Sequence, residues 1–163
     1  MAFTREQAYA ALASFNPAPV FLESYRVKSL PECLHIYFGP PEEFFIAPET
    51  QELYTRGHMV PILDDGNFGR VTFLDPRTRE LVQMDVESPD EYRAVFRHWQ
   101  QYLGDLMLHV GETVDEEDRV RRIAGLVGFA HIDKLFEHFA WTQALSGDGW
   151  WEARRQFPLG IPG

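Results

Sequence analysis

The 163 residues contain one cysteine, Cys33, so no internal disulfide can form and nothing implies an oxidising compartment. Its neighbours Leu34-His35-Ile36-Tyr37-Phe38 predict a small buried hydrophobe. Long hydrophobic runs are also missing. No stretch approaches the ~20 apolar residues of a membrane span, and Met1-Ala-Phe-Thr-Arg-Glu6 lacks the apolar core of a signal peptide, so a cytoplasmic protein is expected. Positive charge is scarce. Against 15 Lys and Arg stand 25 Asp and Glu, a formal charge of -10. Such a field repels phosphate backbones and anionic lipid headgroups and steers basic proteins toward the surface. Direct nucleic-acid binding is therefore not expected.

Catalytic patterns are equally scarce. The six histidines show no His-Glu-x-x-His, and the nearest pair, His131 and His138, lies two helical turns apart. None of the serines at 14, 24, 29, 88 and 146 sits in a Gly-x-Ser-x-Gly frame. Asp64-Asp65-Gly66-Asn67 lacks the alternating oxygen ligands and final glutamate of a calcium loop, and Gly66 and Gly69 belong to a turn rather than a phosphate loop. No catalytic residue, metal or cofactor is predicted.

Large side chains, by contrast, are abundant: 13 Phe, 6 Tyr and 4 Trp supply a core, and a chain of this length buries roughly 70% of its unfolded surface. Thr4 and Gln7 form a capping-box pattern for a first helix with Ala8, Ala11, Leu12 and Phe15 inward. Between Val20 and Phe45, runs such as Leu34 to Phe38 predict one or two short strands, and Glu49 to Tyr54 a helical turn before Gly57. From Met59 the alternation is regular. Strands near 59–63, 69–75 and 80–86 are joined by Asp64-Asp65-Gly66-Asn67 and Asp75-Pro76-Arg77-Thr78-Arg79, both rich in turn formers. In the middle strand Val71 and Phe73 share one face, and Arg70, Thr72 and Leu74 the other, which suggests one face covered by helix and one partly open.

Ser88-Pro89-Asp90-Glu91 reads as the start of a long helix, with Tyr92, Val95, Phe96, Trp99, Tyr102, Leu103, Leu106, Met107 and Val110 inward and Gly111 at its end. Asp115 to Asp118 opens another, with Val120, Ile123, Leu126 and Val127 as its stripe. Ile132, Leu135, Phe136 and Phe139 define a third, stopped by Gly147-Asp148-Gly149, and an irregular aromatic tail follows. The reading is α+β: an antiparallel sheet with a central three-strand meander covered by helices on one face. One domain spans 1–163, with a core of about 1–112 and a C-terminal helical extension of about 113–163.

The succession Pro61 to Gly69, Val71-Thr72-Phe73-Leu74-Asp75-Pro76, Leu81 to Glu87, and a helix with Phe96, Trp99 and Leu103 resembles the SUKH superfamily, which includes a fungal cell-wall-synthesis regulator and many bacterial immunity proteins. The resemblance covers about a third of the chain. It implies an α+β, non-catalytic, protein-binding domain, with neutralisation of a polymorphic, nuclease-type toxin as the expected role. The candidate partner-binding residues are two acidic sets: Asp64, Asp65, Asp75, Asp85 and Glu87 with Asp90 and Glu91, and Glu112, Asp115, Glu116, Glu117 and Asp118. A regulator or scaffold of the same fold, and an enzyme acting on small molecules, are the alternatives.

Overall fold

The computed structural model describes residues 1–163 and is α+β, with one four-stranded antiparallel sheet in the order β1-β2-β3-β4. Two compact units divide the chain, residues 1–97 and 98–163.

The first unit opens with α1 (Arg5–Ala13), where the Thr4 hydroxyl accepts from the Gln7 N–H and the Gln7 side chain accepts from the Thr4 N–H, closing the expected capping box. Ala8 and Leu12 are buried. Next come α2 (Pro19–Glu23), a 3-10 turn over Pro31–Ile36, α3 (Glu42–Ile46), a 3-10 turn over Pro48–Gln51, and α4 (Glu52–Thr55). The predicted early strands are therefore absent. Glu32 and Cys33 both adopt left-handed backbone, at φ 53° and 59°, which breaks the alternation a strand needs. That kink buries Leu34 and leaves Cys33 exposed, correcting the expectation of a buried thiol.

β1 (Val60–Asp64), β2 (Arg70–Leu74) and β3 (Leu81–Asp85) form the expected meander. The register sets Val71 opposite Met84 and Phe73 opposite Val82. Phe44 of α3 and Tyr54 of α4 pack with these four and Met59 into one buried cluster, so helices do cover this face. The other face is not open: Thr72, Leu74, Leu81 and Gln83 are all buried. Pro61 is tolerated because β1 lies at the sheet edge. A bulge between Pro61 and Leu63 shifts the pairing, placing Asp64 opposite Val71. The carbonyl of Ile62 within that bulge accepts from the Tyr25 hydroxyl at 2.6 Å.

The largest departure follows Ser88. Ala94–Phe96 is not part of the helix expected to open at Ser88 but a fourth strand, β4, with Val95 paired to Val82. Backbone groups on the outer side of β3 need partners. Arg93 supplies one, its N–H donating to the Gln83 carbonyl at 2.8 Å, and that pairing outweighs the helical spacing of the apolar residues.

The second unit holds α5 (Trp99–Thr113), α6 (Glu117–Val127), α7 (Ile132–Thr142) and α8 (Gly147–Leu159). Gly111 lies inside α5 rather than ending it. A Cβ at Gly111 would stand 2.4 Å from the Phe139 ring, so the glycine lets α5 and α7 approach closely. Val120, Ile123 and Val127 bury the face of α6 while Leu126 remains partly exposed. Gly128, at φ 74°, caps that helix in the left-handed conformation. The glycines at 147 and 149 belong to the first turn of α8, a regular helix where an irregular tail was expected. Of its aromatics, Trp151 is exposed.

Candidate functional site

A cleft of about 630 Å³ opens in the first unit, within the size range of ligand clefts, about 300–1,000 Å³. Its walls come from the end of α2, the 31–36 turn, α3 and the β1–β2 turn. Asp64 is placed there by the β1 bulge. Its Oδ1 accepts from the Gly66 N–H at 2.9 Å, while its backbone N–H donates to the Gly39 carbonyl at 2.8 Å. Gly66, at φ 86°, lies flat against the chain at His35 and Ile36; a Cβ there would meet the Ile36 carbonyl carbon and oxygen at 2.6 Å. Asp65 and Asn67 both accept from the Gly69 N–H, at 3.0 and 3.1 Å, and Phe68 takes the left-handed φ of 59°. The turn is thus held by its own side chains.

Burial pushes the Asp64 carboxyl up to about 7, and the negative charges of Asp65, Glu42 and Glu43 add to the effect against the hydrogen bond from Gly66. Burial likewise raises the Tyr25 hydroxyl. The raised carboxyl has a stability consequence of definite sign. A group that binds its proton more tightly when folded favours folding most when protonated, so Asp64 weakens the fold progressively as pH rises from about 4 toward 7. Asp64→Asn keeps an oxygen for the Gly66 N–H and removes the charge. Its urea midpoint is expected to match wild type at pH 4 and exceed it at pH 8; a variant weaker than wild type at pH 8 would contradict this environment.

The other sequence-predicted acids are dispersed among different roles. Asp75 is buried at 9% exposure, accepts from the Arg77 N–H at 2.9 Å, and pairs with the Arg77 and His58 side chains. Although burial opposes ionisation, those hydrogen bonds and charges hold its carboxyl below the usual range. Asp85 lies opposite Arg70 in the register and pairs with Arg70 and Arg93, each at 3.5 Å. Glu87, Asp90 and Glu91 are exposed beyond β3.

In the second unit Glu112 receives both Nε and Nη2 of Arg154, at 2.7 and 3.0 Å, and Asp105 lies 3.8 Å from the same guanidinium. With the Arg154 side chain only 12% exposed, this is a structural pair. Arg154→Ala would leave the part-buried Glu112 carboxylate without its two-pronged cation and is expected to cost about 1–3 kcal/mol, read from the urea midpoint followed by tryptophan emission. All four tryptophans lie within residues 98–163, so that signal reports the second unit. Glu117 is paired with Arg121 at 2.7 Å, leaving Asp115, Glu116 and Asp118 as exposed acids around the start of α6.

Of the first acidic set, the fold therefore places only Asp64 in the cleft wall, with Asp65 next to it in the turn. It adds Glu42 and Glu43, which the sequence reading missed because that segment was expected to contain strands. Pro40-Pro41 followed by two glutamates is a helix-start signal that could have found them. Around the opening stand exposed apolar side chains, Val27 at 49% and Ile46 at 76%. Ile36, at 54%, projects from the turn whose backbone Gly66 touches. No group of three or more His, Cys, Asp or Glu side chains is arranged to hold a metal ion, and no helix is long and apolar enough to cross a membrane. No family model, curated protein or solved structure matches the chain.

Proposed function

We propose that this chain is a non-catalytic protein-binding domain, a SUKH-like immunity protein that neutralises a basic, nuclease-type toxin. The observation that carries this reading is the rim of the cleft. Exposed Val27 and Ile46 line it with Glu43 and Asp64, exposed Ile36 and the carboxylate of Asp65 lie on the adjoining turns, and none of these three carboxylates forms an ion pair. Apolar anchors beside uncompensated negative charge match a partner surface that is basic and partly apolar. A nuclease groove must be positive to hold phosphates, and a chain of charge -10 is drawn to it over distance. The sequence resemblance points to the same class of role.

The test is a tagged full-length chain recovered from its native cells at low and at moderate salt, followed by production of the captured protein with and without this chain. The expected result is one basic protein, lost as salt rises, that stops growth unless this chain is present. A captured partner that is harmless to cells would favour regulation or scaffolding instead. With the pair in hand, Glu43→Lys is expected to slow association several-fold at low salt and flatten its salt dependence. Association rates that are the same at low and high salt would remove the electrostatic basis of the proposal.

A further inference from the structure

We draw no further inference here: the strongest candidate, the groove of about 750 Å³ between α7 and α8, where His138, exposed Trp141 and Phe157 stand beside buried Ala153 and Ile161, carries nothing because it is an unpartnered apolar face bordered by both Lys134 and Glu137, and nothing in the structure shows what covers it.

Discussion

Gly66→Ala is expected to lower the stability of the first unit by about 2–4 kcal/mol, the sum of a left-handed backbone unfavourable to alanine and a contact with no room to relax. At φ 86° the residue is already in the region that glycine alone enters freely, and a Cβ would sit 2.6 Å from both the Ile36 carbonyl carbon and oxygen. Backbone cannot swing aside as a flexible side chain can. The turn would have to lift off the 31–36 segment, carrying Asp64 and Asp65 with it. Gly57 provides the control. Its φ of 75° imposes a similar backbone strain, yet nothing lies within 4 Å of its added Cβ, so Gly57→Ala is expected to cost only about 1–2 kcal/mol. The two variants are compared by urea denaturation followed by far-UV circular dichroism. Equal losses would show that the contact between Gly66 and Ile36 contributes nothing.

Phe44→Ala is expected to cost about 3–5 kcal/mol. Phe44 is essentially inaccessible and its ring centroid lies 5.0 Å from those of both Tyr54 and Phe68, and 6.0 Å from that of Phe73. It joins α3, α4, the β1–β2 turn and the sheet in one cluster. A helix of five residues such as α3 has no stability of its own. Phe44 is also the only residue of α3 that is buried, so its truncation should free Glu42 and Glu43 from the cleft wall as well as opening a cavity. Two measurements separate these effects. The urea midpoint reads the cavity, and the carboxyl carbon-13 titration of Asp64 reads the charges. With Glu42 and Glu43 no longer held close, the Asp64 midpoint should fall somewhat below about 7, while the burial that is the main cause of its rise still holds it above the ordinary carboxylate range. A variant with a normal urea midpoint would take Phe44 out of the core role assigned to it.

Both predictions fall where local sequence said little. Thr4 and Gln7 announced their capping box because every atom involved lies within one helical turn. The meander from Val60 to Asp85 was legible for a similar reason: strands of alternating residues joined by Asx-rich turns specify their own pairing. Ser88 to Phe96 was not legible. Val95 and Phe96 continue the helical spacing of Trp99, Tyr102 and Leu103, and only the unfilled hydrogen bonds along β3 make Ala94–Phe96 a strand. Cys33 was misplaced because two left-handed residues reversed the faces that simple alternation predicts. Gly111 looked like a helix stop, since nothing in its neighbourhood reveals that Phe139 will pack against it.

The candidate site divides in the same way. Sequence by itself determined the excess of carboxylates, the α+β class, the turn that carries Asp64 and Asp65, and the want of any catalytic motif, because composition and short-range backbone preferences are local properties. It could not say which carboxylates would remain uncompensated. Tertiary structure decided that. Arg77 and His58 close on Asp75, Arg70 and Arg93 on Asp85, and Arg154 on Glu112, while a one-residue bulge turns Asp64 into a cleft beside Glu42 and Glu43. The charge a side chain presents depends on which neighbours folding brings within a few ångströms, and those neighbours are distant in the chain.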